Sequence, residues 1–123
     1  MTQVLVVDDS LSVRKALEII LRPHAYTVRM ADSAETALVS FAEQPADLVI
    51  ADVLMPGMSG FELCQQLKAD PSRAHVPVVL ISGIVSEEEQ RRANEVGAVG
   101  LVRKPFRAED LLPVVDAAAR AAT

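Results

Sequence analysis

The sequence predicts an α/β fold: a doubly wound, five-stranded parallel sheet flanked by five helices. Short β-branched apolar runs alternate with segments of helical periodicity. Most of the runs are continuous rather than alternating, the pattern of strands buried on both faces of a parallel sheet. The links between elements are short, as in βα units with right-handed crossovers. A length of 123 residues, half of them hydrophobic, suits a single domain spanning residues 1–123. Only 3% are aromatic, so the core is aliphatic.

The first strand is Val4–Val7, followed by a helix with Val13, Ala16, Leu17, Ile20 and Leu21 at core spacing. That helix stops before Pro23, because the residue preceding a proline disfavours helix. The second strand is Thr27–Met30, the one run that is not continuously apolar. Ser33 then caps a helix that buries Ala37, Leu38 and Phe41. The third strand, Leu48–Ala51, leads through a turn to "SGFE", a capping box of Ser59 and Glu62. The helix it opens buries Leu63, Cys64 and Leu67. After the strand Val78–Ile81, "SEEE" reads as a second box, Ser86 with Glu89, and the helix ends at Gly97. Its apolar face is thin, mainly Ala93 and Val96, which implies low local stability. The last strand is Val99–Val102. The last helix carries Leu111, Val114, Val115 and Ala118, with Pro113 inside it to distort an early turn.

The net charge of -5 argues against a general nucleic-acid or membrane surface binder. No apolar run approaches the roughly 18 residues of a membrane span. The start, "MTQVLVVDDS", lacks the basic flank and cleavage site of a signal peptide. The single cysteine, Cys64, excludes an internal disulfide and a zinc cluster. A cytoplasmic protein is expected, and one that stands alone, since the chain closes on "AAARAAT".

Two apolar runs end in acids: "VLVVDDS" at Asp8 and Asp9, and "LVIADVLMPG" at Asp52. Ser82 follows "PVVLI", and Lys104 follows "VGLVR" ahead of Pro105. Doubly wound sheets bind ligands at the carboxyl ends of their strands, and all five residues fall there. Taken singly, an acid at a strand end is ordinarily a turn or cap residue, and Asp9 or Ser10 would serve to cap the first helix. Together, three carboxylates and one ammonium repel unless a cation joins them. Mg²⁺ suits oxygen ligands and keeps several waters. With no His or Cys at this rim, zinc does not fit. A carboxylate beside Mg²⁺, a hydroxyl and a lysine is equipped to accept a phosphoryl group.

The motifs "VVDDS", "DVLMPGMSGFEL", "LISG" and "GAVGLVRKPF" resemble those of the response-regulator receiver domain, the phosphoacceptor half of two-component signalling. The resemblance spans essentially the whole chain. It implies a flavodoxin-like sheet in the order 2-1-3-4-5. It implies Asp52 as the phosphorylation site, with Mg²⁺ held by Asp8, Asp9, Asp52 and the Leu54 backbone carbonyl. Ser82 and Lys104 would contact the phosphoryl group, and the bond before Pro105 would be cis. The donor would be a histidine kinase or phosphotransfer protein and the target a downstream effector protein. No membrane and no direct nucleic-acid binding are expected of this domain. The domain would be a switch that catalyses only its own phosphorylation and dephosphorylation.

Three positions depart from, or refine, that pattern. Leu101 stands where the family usually has Tyr or Phe, so the aromatic partner of the Ser82 switch is missing. A smaller or different change is therefore expected on the face of the fourth helix, fifth strand and fifth helix. Leu54 and Ile84, two residues after Asp52 and Ser82, are apolar and cannot orient a water, which implies slow self-dephosphorylation. "EEEQRR" reads as a solvated face, and Leu112 and Pro113 as an extension of the partner surface. Cys64, His24 and His75 read as structural rather than redox or relay residues. Two other functions compete. A Mg²⁺-dependent phosphatase of the haloacid dehalogenase type would carry "DxDxT", where this chain reads "DDSLS". A degenerate receiver would bind a partner without phosphorylation, against which the intact five-residue set stands.

Overall fold

Alternate residues of each strand face opposite ways, and here both sides are apolar. Val4 and Val6, Leu48 and Ile50, and Val79 and Ile81 pack into one core layer. Leu5 and Val7, Val49 and Ala51, and Val78 and Leu80 pack into the other. The computed structural model describes residues 2–121. The last two residues of "AAARAAT", on which the expectation of a free-standing chain rests, lie outside that range.

The strands are β1 (Thr2–Val7), β2 (Tyr26–Ala31), β3 (Leu48–Asp52), β4 (Val78–Ser82) and β5 (Gly100–Arg103). They form one parallel sheet in the order β2-β1-β3-β4-β5. The helices are α1 (Leu11–Leu21), α2 (Ala34–Glu43), α3 (Gly60–Ala69), α4 (Glu87–Glu95) and α5 (Ala108–Ala121). Leu17 and Leu21 of α1 and Leu111, Val115 and Ala118 of α5 cover one face. Ala37 and Phe41 of α2, Phe61, Leu63, Cys64 and Leu67 of α3 and Ala93 of α4 cover the other.

The local signals act largely as expected. Ser33 accepts from Thr36 N and caps α2, and Ser59 with Glu62 forms a complete capping box on α3. At Ser86 the side chain accepts from Glu89 N at 3.2 Å, but the reciprocal bond is not made, so α4 carries half the expected box. Gly97 follows α4 at φ 87°, a conformation glycine adopts without a Cβ penalty. The helix ahead of Pro23 ends at Leu21 and tightens into a 3-10 turn, Arg22–His24. Ala25 then takes a left-handed φ of 67° to enter β2.

Several expectations need correction. Ala16 is exposed: the stripe of α1 that meets the sheet holds Leu17 and Leu21 with Val13 and Ile20 at its edges, and Ala16 lies off it. Leu112 packs partly against the α1–α5 layer, so it does not extend a free surface; Pro113 beside it is exposed. The last strand begins one residue later than expected, leaving Val99 half-exposed in the approach to β5. The second strand is longer at both ends: Tyr26 is buried and its hydroxyl donates to Asp116 of α5 at 2.5 Å.

Candidate functional site

The order of the strands reverses between β1 and β3, and their carboxyl ends sit side by side. Val7 pairs with Ala51, so Asp8 and Asp52 emerge together at that switch point. Both are buried. Ser82 and Lys104 follow on the next two strands, tied by Lys104 N donating to Ser82 O at 2.8 Å. The Lys104–Pro105 peptide is cis, as expected.

The Lys104 ammonium lies 3.1 Å from Asp8 Oδ2 and 3.0 Å from Asp52 Oδ2. It therefore bridges carboxylates from two strands. Burial pushes the Asp52 carboxyl above the ordinary carboxylate range; the bond to Lys104 lowers it, and the Asp8 charge raises it again. For Lys104, burial works against the ammonium, but its bonds to Asp52 and then Asp8 prevail and leave it raised.

Asp9 completes the group. Carboxylate oxygens of Asp8, Asp9 and Asp52 lie within 4.8 Å of one another, and Asp9 is exposed. Among the described residues Asp9 has no hydrogen bond or ion pair, so its oxygens are open to a ligand. The donor set is all oxygen, and with one ammonium present it carries two surplus negative charges. That chemistry fits a small divalent cation such as Mg²⁺.

Two expected residues are placed but do not reach the carboxylates. The Ser82 hydroxyl is turned into its own loop, donating to Ile84 O at 2.8 Å and accepting from Ile84 N at 3.1 Å. Leu101 is half-buried against the α2–α4 layer, paired in register with Leu80. Leu54 and Ile84 are 83% and 69% exposed, so two apolar side chains stand in solvent two residues beyond Asp52 and Ser82. Ser10, not Asp9, caps α1, accepting from Val13 N. Cys64 is buried, its thiol pushed up to about 11 by burial and donating to Val96 O, in keeping with a structural role.

Sequence reasoning missed two supports. Arg14 of α1 donates to the Asp8 carbonyl at 2.6 Å. Glu35 of α2 accepts from Met58 N in the loop after β3. The available signal for Arg14 was a base in the first turn of a helix, where acids are favoured. Glu35 gave none, because it sits among ordinary first-turn residues. Gly60 permits the close approach of α3: a Cβ there would lie 2.3 Å from Asp52 O.

A model of the response regulator receiver domain matches residues 4–116. The chain belongs to that family. This receiver is 35% identical over 120 residues to the sensory transduction protein RegX3 of Mycolicibacterium smegmatis, covering 98% of this chain and 51% of that protein. It is 39% identical over 104 residues to the response regulator PleD of Caulobacter vibrioides, covering 85% of this chain and 23% of that one. The chain thus spans about half, or less, of these curated relatives. The chemotaxis protein CheY4 of Vibrio cholerae superposes with a TM-score of 0.90 at 32% identity, covering 96% of this chain and 98% of that one. A response regulator from Chloroflexus aurantiacus gives 0.92 at 31%, covering 97% and 98%. The receiver fold and the two-component class follow. Among the described residues, no helix is long and apolar enough to cross a membrane.

Proposed function

We propose that this receiver is a Mg²⁺-dependent phosphoacceptor, that Asp52 is the accepting residue, and that a phosphohistidine of a kinase or phosphotransfer protein is the donor. The observation that carries the reading is the Lys104 ammonium bridging Asp52 and Asp8 at the switch point while Asp9 stays free. An Asp52 oxygen attacks phosphorus, the P–N bond of the donor breaks, and the imidazole leaves with the bond's electrons. Lys104 offsets charge on the phosphoryl oxygens. Asp8, Asp9, Asp52 and the Leu54 carbonyl would hold Mg²⁺, which supplies further neutralisation of that charge. Ser82 leaves its bond to Ile84 to donate to the phosphoryl group. The domain is then a switch rather than a turnover enzyme, and it works in the cytoplasm, beside its kinase and an effector protein.

The test is intact mass after incubation with acetyl phosphate and Mg²⁺. Wild type is expected to gain one phosphoryl group and Asp52→Ala none. No adduct with any donor would favour the degenerate receiver, and turnover of a free phosphate ester would favour the phosphatase.

Two further expectations follow from the rim and the switch. Leu54 and Ile84 offer no group to orient an attacking water, so phospho-Asp52 is expected to persist for minutes or longer. Leu54→Asn should shorten that lifetime several-fold; a wild-type half-life of seconds would overturn the idea. The read-out surface is α4, β5 and α5. On it α4 is lightly held, by buried Ala93 and by Arg92 stacked 4.5 Å from the Phe61 ring centre. Leu101 has no ring to swing between inner and outer positions. Amide shifts on adding a phosphoryl mimic should therefore be smaller there than in receivers bearing an aromatic. Large shifts centred on α4 would count against this.

A further inference from the structure

The acidic turn after β1 is held unevenly. Asp8 is fixed at four points: its N–H donates to Ala31 O at 3.1 Å, Oδ1 accepts from Ser10 N at 2.9 Å, Oδ2 meets Lys104, and its carbonyl accepts from Arg14 Nη1 at 2.6 Å. Asp9 has no partner of its own among the described residues. Its direction is inherited from the backbone on either side.

The Asp8 carbonyl belongs to the peptide plane that joins Asp8 to Asp9. Because that plane is rigid, holding its oxygen restrains where the Asp9 N and Cα lie, and the Ser10 N–H bonded to Asp8 Oδ1 restrains the chain on the other side of Asp9. Arg14 sits in the first turn of α1, with its own N–H bonded to Ser10 O. Side chains on a helix lean toward its N-terminus, which brings the guanidinium back over the turn. Its charge opposes both the helix dipole and an arriving cation. What the structure shows there is the hydrogen bond to the Asp8 carbonyl, beside an acidic group that also attracts the guanidinium.

We propose that Arg14 is a positioning residue for the metal turn, holding the Asp8–Asp9 peptide so that Asp9 faces a divalent cation already oriented. This rests on the Mg²⁺ reading above. In known metal sites, groups that orient a ligand commonly change affinity about tenfold or more when removed.

The experiment is calorimetric titration of Mg²⁺ into wild type, Arg14→Met and Arg14→Lys, with amide spectra recorded before metal is added. Positioning predicts about tenfold weaker binding in Arg14→Met. It also predicts displaced Asp9 and Ser10 resonances in that metal-free variant, and substantial recovery of both in Arg14→Lys, whose ammonium can reach the same carbonyl. A purely electrostatic role predicts the opposite sign, tighter binding in Arg14→Met, and overturns the inference. A purely structural role lowers the melting temperature but leaves Mg²⁺ affinity unchanged, and overturns it too. If Arg14→Met does not fold, Arg14→Gln, too short to reach the carbonyl, is expected to bind as weakly; wild-type affinity there is again contrary. Wild type that binds no Mg²⁺ overturns the metal reading and this inference together. Wild type that binds while both variants match it overturns this inference alone.

Discussion

Asp52→Asn is expected to abolish the phosphoryl adduct and, in the presence of a chelator at neutral pH, to make the protein more stable by about 1 kcal/mol, roughly 4 °C in Tm. The two effects have one cause. Asp52 is buried, and both its desolvation and the neighbouring Asp8 charge hold its carboxyl above the usual range. An acid whose folded pKa is raised binds more protons folded than unfolded, so its contribution to stability falls as pH rises through that window. At neutral pH the ionised group is a burden that an amide of the same shape lacks, while Lys104 keeps Asp8 as its partner. The difference should shrink as pH falls through the raised folded range and vanish below about 4, where Asp52 is protonated in both states. Saturating Mg²⁺ should reverse the order, because a ligand that binds only the folded state stabilises wild type by mass action. Thermal melts of the two proteins at several pH values, with chelator and with Mg²⁺, measure all of this. A less stable Asp52→Asn in chelator at neutral pH would refute the electrostatic account.

The fold was legible because its three central strands, β1, β3 and β4, are buried on both faces. Runs such as Leu48–Ile50 leave no polar face, and that excludes an antiparallel sheet open to water. The carboxyl-end position of Asp8, Asp52, Ser82 and Lys104 followed from where each run stopped, and the structure brings the three charged groups together. What escaped were contacts set by tertiary geometry. Tyr26 fell just outside the expected second strand, yet it opens β2 and its hydroxyl meets Asp116, ninety positions away. Ala16 fits the helical period, but α1 turns Val13, Leu17, Ile20 and Leu21 toward the sheet and leaves Ala16 exposed. The direction of the Ser82 hydroxyl is a rotamer and loop choice that no spacing encodes. The grip of Arg14 on Asp8 depends on how the chain turns between β1 and α1, which two adjacent acids and a serine leave open.

Lys104→Met is expected to cost about 2–3 kcal/mol at neutral pH in chelator. Breaking a fully buried ion pair costs about 3–5 kcal/mol, because the remaining partner is left charged and unpaired. Here a quarter of the lysine side chain is exposed, which lowers the figure. Two carboxylates are left rather than one, and they repel. With Lys104 removed, burial and the Asp8 charge, which raise the Asp52 carboxyl, are opposed only by the Leu54 backbone bond. Protonation of Asp52 relieves the conflict, so the loss should be greatest at high pH and fall as the solution is acidified. A second substitution tests the assignment. If Lys104 acts chiefly by compensating Asp52, Asp52→Asn should recover part of the stability lost in Lys104→Met. The double variant would then lie above the sum of the single effects. Simple additivity would mean that the 3.0 Å contact carries no coupling and that Lys104 matters through Asp8 alone. Phosphorylation separates the same roles. Lys104→Met retains the proposed accepting carboxylate of Asp52, so it is expected to form the adduct with Mg²⁺ present, but without the ammonium proposed to hold the phosphoryl group.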